Sequence, residues 1–174
     1  MDNIYTHIML FFVPLICGNI CHMIIVKNDW FSVLKTPISK PLFGLNKTFR
    51  GVVVLPLITG IIAFTNSIFF GPFETTIWYD FFVGLGLGMA YILAELPNSF
   101  LKRKLGIASG QKSNRYNFVQ TIADKADSLI GVLGFYYFAI TISFNTILLL
   151  FLVSMIIHLS LSYFLVLIKI KKAF

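Results

Sequence analysis

Two carboxylates three residues apart, Asp124 and Asp127, follow a basic run, Lys102-Arg103-Lys104, and both lie between long apolar stretches. Carboxylate oxygens hold divalent cations, while lysine and arginine hold phosphate. The combination points to chemistry on a phosphorylated substrate at a membrane surface. Around Asp124 the residues Asn117, Gln120, Thr121, Asp127 and Ser128 recur at spacings of three and four. They form one polar stripe on an otherwise apolar helix. An aspartate at mid-bilayer costs roughly 2.5–3.5 kcal/mol on insertion scales, so two on one face need cations, water or a metal. Lys125 lies about 100° round the helix from Asp124, and one lysine neutralises only one carboxylate. The stripe therefore favours a metal site over a structural ion pair.

Two further groups fit this reading. Glu95, Ser99, Lys102 and Arg103 share a face if the helix before them continues through Pro97. Magnesium takes oxygen ligands, commonly one or two carboxylates with substrate phosphates and water. Glu95, Asp124 and Asp127 are the candidate Mg2+ ligands, and Lys102, Arg103, Lys47 and Arg50 the candidate phosphate contacts. The segment Pro41–Gly51 adds Asn46 and Thr48 between two glycines, a composition that can wrap phosphates with backbone N–H groups and cations. It is not a P-loop, because no Gly-Lys-Ser/Thr follows at the required spacing. Nucleotidyl transfer needs little beyond positioning and charge neutralisation. His7, His22 and His158 all lie in or beside apolar spans, and no Ser or Cys nucleophile has a nearby histidine base. Asn19 and His22, one turn apart, read as interhelical hydrogen-bonding side chains.

The elements that must position these groups are membrane helices. Of 174 residues, 57% are hydrophobic and only 12% charged, half the share of charged residues in soluble domains, about 25%. The apolar runs are near the roughly 20 residues that span a bilayer, and they are too long and continuous for barrel strands. The fold expected is all-α, an integral membrane protein of one domain, residues 1–174. About five spans fall near residues 4–26, 52–70, 77–97, 118–143 and 145–168. The first is read as a retained span, since its leading residues carry Asp2 and no Lys or Arg. Cys17 and Cys21, inside it, read as packing residues.

Charge orients the spans. Of 14 Lys and Arg, five fall in Lys27–Arg50, five in Lys102–Arg115 and three after the last span, while the connectors near Glu74 and Asn145 have none. The positive-inside rule then places the N-terminus outside, the C-terminus inside and both polar loops in the cytoplasm. The second basic loop is read as Asn98–Tyr116. A net charge of +7 suits anionic lipid, and no nucleic-acid module is present.

Ser99-Phe100-Leu101-Lys102-Arg103, followed by Asp124-Lys125-Ala126-Asp127-Ser128, resembles the Ser-x-x-Lys-Arg and Asp-Arg-x-Asp-Ser signature of the CDP-diacylglycerol synthases. Pro41-Leu42-Phe43-Gly44, Asn46-Lys47-Thr48-Phe49-Arg50-Gly51 and Leu105-Gly106 bring the chain closer to the short CDP-archaeol synthases. That resemblance implies five spans and transfer of a cytidylyl group from CTP to a membrane lipid phosphate, with magnesium and release of pyrophosphate, in phospholipid biosynthesis. It implies catalytic roles for Asp124, Asp127, Lys102 and Arg103, and substrate contacts from Asn46, Lys47, Thr48, Arg50, Asn98 and Ser99. It also implies a multi-pass protein of the cell membrane. Three departures stand out: Phe49 where the family has Trp, Ala94-Glu95 where it usually has Gly-Asp, and Lys125 where the larger enzymes have Arg.

Two other classes stay open on the residues alone. The acids could serve an ion-coupled transporter, or buried ion pairs in a structural membrane subunit. The transporter reading gives no reason for two basic loops on one side. A homodimer stays open, as does the acceptor, since isoprenoid ether and fatty-acyl ester chains present the same apolar contact.

Overall fold

The computed structural model describes residues 4–109 and 117–168, with side chains from 122 in the second block. Long helices dominate: α1 (Ile4–Lys27), α2 (Phe49–Phe70), α3 (Ile77–Lys104), α4 (Asn117–Ala139) and α5 (Phe144–Leu167). Among the described residues, α1, α2, α3 and α5 are long and apolar enough to cross a membrane. The 23-residue α4 carries Asp124, Lys125 and Asp127 in its first half. Nonetheless α4 packs between α3 and α5 within the same bundle. The chain is an all-α integral membrane protein.

Small residues set the tightest contact, α2 on α3. A side chain at Gly84 would come within 2.7 Å of the Thr59 carbonyl oxygen, and one at Gly88 within 2.6 Å of Pro56 Cα. Helices in lipid gain from such close backbone approach, because burying apolar side chains there brings little. Leu10, Phe11, Leu87, Val132 and Tyr136 fill the centre between α1, α3 and α4.

The prolines are each accommodated. Before Pro14 the first helix widens to a π-helical stretch, His7–Phe12, in which the Val13 N–H bonds back to Ile8. The next bond in that register would run from residue 14 to Met9, and proline has no N–H. The Asn66 amide on α2 donates to the Met9 carbonyl instead, at 2.7 Å. Pro97 does not end α3, which runs on to Lys104. The expected loop from Asn98 is therefore helix for seven residues. The reason lies downstream. Lys102, Arg103 and Lys104 complement the negative helix end, and Gly106, at φ +73°, closes it. The Gly106 N–H bonds to the Arg103 carbonyl at 3.1 Å and the Ile107 N–H to that of Lys102 at 3.0 Å, a Schellman closure.

The segment between α1 and α2 folds over this end of the bundle. A single bridge pairs Pro37 with Thr48, with Ile38 N–H on the Lys47 carbonyl at 2.9 Å and Phe49 N–H on that of Thr36 at 3.0 Å. At the opposite end, Thr76 and Ser143 cap α3 and α5 by accepting from the N–H groups of Tyr79 and Thr146.

Candidate functional site

The continuous α3 places Glu95, Asn98, Ser99 and Lys102 at successive three- and four-residue steps, hence on one face. Opposite them, α4 presents Asp124 and Asp127. The Asn98 side-chain amide donates to both, at 2.7 Å to Asp124 Oδ1 and 2.8 Å to Asp127 Oδ2. The Lys102 ammonium pairs with the same Asp124 oxygen. Asp127 Oδ1 accepts the Ser128 N–H at 2.6 Å. Four of the candidate residues thus meet in one contact network, built by α3 against α4.

A second network adjoins it. Lys47, carried by the loop onto the start of α2, pairs with Glu95. Ser99 bonds to the Glu95 carbonyl at 2.9 Å, within its own helix. Glu95 lies within electrostatic range of Asp127, so the two networks are neighbours. Glu95 is engaged by Lys47 rather than by the two aspartates.

Other candidates face elsewhere. Arg50, buried, donates to Asp29 at 2.9 Å and to the Trp30 carbonyl at 3.0 Å. With Lys35 also bonded to it, Asp29 is held below the ordinary carboxylate range by hydrogen bonds from Lys35 and Arg50. Arg103 Nε lies 3.4 Å from where a Gly44 side chain would begin, so it backs the loop. Thr48 caps α2 by backbone geometry without a side-chain bond, and Asn46 is exposed. Lys125 is buried and bonds to Ser162 of α5, turned from the stripe as its position on the helix requires. Lys112, Arg115 and the side chains of Asn117, Gln120 and Thr121 lie outside the described residues.

The structure adds His22 to the site. Its ring lies against Gly51, with Nε2 3.8 Å from where a Gly51 Cβ would stand. Glu95, Arg50 and Lys47 are all within electrostatic range. Nε2 is buried with no hydrogen-bond partner among the described residues. The signal in the sequence was a polar pair, Asn19 and His22, at the end of an apolar span.

A hard divalent cation suits this donor set. Asp124 and Asp127 offer only oxygens, and one shared amide N–H2 holds them facing each other. Two carboxylates with substrate phosphates and water make a usual magnesium complement. Among the described residues no three His, Cys, Asp or Glu side chains converge on one point.

The family profile of CDP-archaeol synthase (CarS-like) matches residues 1–174. A curated CDP-archaeol synthase from Staphylothermus marinus is 34% identical over 99 residues, covering 57% of this chain and 49% of that relative. The matched stretch thus spans about half the relative's length. No solved structure matches. The chain belongs to the CDP-archaeol synthase family.

Proposed function

We propose that the chain transfers a cytidylyl group from CTP to a membrane lipid phosphate, forming a CDP-lipid and releasing pyrophosphate. Family membership and the relative's name support the reaction. The observation that carries it is the Asn98 amide shared by Asp124 and Asp127, with Lys102 on the same carboxylate. Two facing carboxylates and a lysine at one end of a membrane bundle suit a divalent cation and a phosphate, and so support this reading.

Asp124 and Asp127 would hold magnesium, which when bound neutralises phosphate charge and orients the triphosphate. Lys102 and Lys47 are each parked on a carboxylate, ready to exchange it for a phosphate oxygen. Neutral Asn98, donating to both aspartates, offsets part of their mutual repulsion. A lipid phosphate oxygen forms the new bond to the α-phosphorus, and the bond to the pyrophosphate breaks. Ser99, Thr48 and Asn46 remain candidate nucleotide contacts, while Arg50 and Arg103 stiffen the loop that carries Lys47.

Both basic segments lie at the same end of the bundle, since Lys47 reaches Glu95 and Leu45 reaches Ser109. We place that end in the cytoplasm, with five spans of the cell membrane, the N-terminus outside and the C-terminus inside. The test is incubation of purified protein with magnesium, labelled CTP and either phosphatidic acid or an unsaturated archaetidic acid. CDP-lipid formation that Asp127→Asn abolishes is the expected result. Folded protein that neither binds CTP nor forms product with either acceptor overturns the reading.

A further inference from the structure

One turn below the charged site the bundle contains a cavity that the reaction chemistry does not use. Leu15 and Asn19 of α1, Tyr91 of α3, Leu129 of α4, and Ser154 and His158 of α5 line it. Most of the lining is apolar, but the polar groups are not scattered. The Tyr91 hydroxyl stands 3.4 Å from His158 Nε2, with Asn19 and Ser128 nearby. Ser154, only 5% exposed, has a buried hydroxyl with no hydrogen-bond partner among the described residues. A serine inside a helix can bond back to the carbonyl four residues before it, and a buried hydroxyl left without a partner is unfavourable. Ser154 belongs to the cavity wall, so its hydroxyl is an unused donor there.

The cavity lies along helices that also carry the site. Tyr91 precedes Glu95 by four residues on α3, so they share a face about 6 Å apart along the axis. Leu129 follows Ser128, whose N–H holds Asp127. Asn19 precedes His22 by three residues on α1. On α5, Ser154, His158 and Ser162 form a polar row at four-residue steps, with Ser162 bonded to Lys125 at the level of the aspartates.

We propose that this cavity binds the glycerol linkage of the lipid acceptor, with Ser154 and Tyr91 donating to its ether or ester oxygens and the first chain carbons lying on Leu15 and Leu129. The inference rests on the proposed function for the phosphate end and names what lies below it. A glycerolipid phosphate carries oxygens a few bonds from its phosphate. A polyprenyl phosphate carries none, so the cavity selects for the former. Asn19 and His158 orient the Tyr91 hydroxyl rather than touching the lipid.

The test uses the full chain in detergent with Ser154→Ala, Tyr91→Phe and the double variant. Lipid affinity is read by native mass spectrometry without CTP, using phosphatidic acid, archaetidic acid and a polyprenyl phosphate. Each variant should weaken binding of the two glycerolipids roughly three- to tenfold, the scale of one hydrogen bond, and leave the polyprenyl phosphate unchanged. In turnover, KM for the glycerolipid should rise while KM for CTP holds. Ser154→Leu, which fills the cavity, should weaken all chains. Equal loss for the polyprenyl phosphate in Ser154→Ala and Tyr91→Phe, or no loss for the glycerolipids, overturns the proposal. If the variants lose glycerolipid binding as expected but the wild type makes no CDP-lipid, the cytidylyl-transfer reading fails and the cavity assignment stands.

Discussion

The Ser109 hydroxyl accepts the Leu45 backbone N–H at 3.0 Å, across 64 residues of chain. It ties the loop that carries Lys47 to the segment that follows α3. Gly44, beside Leu45, has φ +84° and would place any side chain onto Ser109. Gly44→Ala therefore meets both a steric collision and a backbone conformation essentially restricted to glycine, at about 1–3 kcal/mol for the backbone alone. A lowered Tm in detergent and a raised KM for CTP are expected. Ser109→Ala removes only the tie, so KM for CTP should rise with Tm nearly unchanged. A Gly44→Ala protein with wild-type KM and Tm would contradict the loop geometry.

The aspartate pair predicts a separation between roles. Asp124→Asn and Asp127→Asn should each lower turnover at least roughly hundredfold, the scale of losing one preorganised electrostatic group, while far-UV circular dichroism stays unchanged. Asn98 touches both carboxylates, so Asn98→Ala should act through them, with a loss of roughly ten- to a hundredfold. Its magnesium requirement should shift to higher concentration. Raising magnesium should recover part of the Asn98→Ala rate and none of the Asp127→Asn rate. An Asn98→Ala enzyme whose loss magnesium leaves untouched would place the amide outside the metal site.

Much of this was legible in the residues before the fold. Charge-poor runs marked the helices, and the three-and-four stripe on α4 fixed which way Asp124 and Asp127 face. The end of α3 was not legible. Pro97 reads as a stop, and only the basic last turn with the Gly106 closure shows that the helix continues to Lys104. Pairings across elements were equally hidden: no local spacing says that Lys47 meets Glu95 or that Arg50 turns to Asp29. The row Ser154, His158, Ser162 was present at helical spacing, but small hydroxyl residues barely lower the hydropathy of an apolar span.

His22 carries a prediction of its own. Its unpartnered Nε2 is buried within electrostatic range of Lys47 and Glu95, where a phosphate oxygen would complete it. His22→Leu should lower kcat/KM for CTP roughly tenfold or more, as for a hydrogen bond to a charged group. His22→Gln, which keeps a donor, should recover most of it. If Gln and Leu behave alike, the imidazole serves packing only.

Acid should loosen the loop at Asp29. Its folded pKa lies below the ordinary value of about 3.9, because Lys35 and Arg50 bond to the carboxylate. The stabilisation is therefore present above that ordinary value and is lost as pH falls through the lower folded pKa. Thermal melts should show a wild-type Tm that drops below about pH 4 more steeply than that of Asp29→Asn, which has no such proton to bind. Parallel curves would mean that the Arg50 contact contributes nothing to the loop.

The Met9 carbonyl gives a test inside the membrane. In the π-helical register its partner would be residue 14, where proline has no N–H, and Asn66 supplies the donor from α2. Asn66→Leu leaves the carbonyl bare and should cost roughly 0.6–1.7 kcal/mol, the range for interhelical hydrogen bonds in a membrane protein. Pro14→Ala restores the N–H, so the first helix can satisfy Met9 by itself. In that background Asn66→Leu should cost much less. A double-mutant cycle on unfolding free energy in bicelles measures the difference. Equal costs in the two backgrounds would show that Asn66 stabilises the α1–α2 contact by packing, and that the proline and the amide are independent.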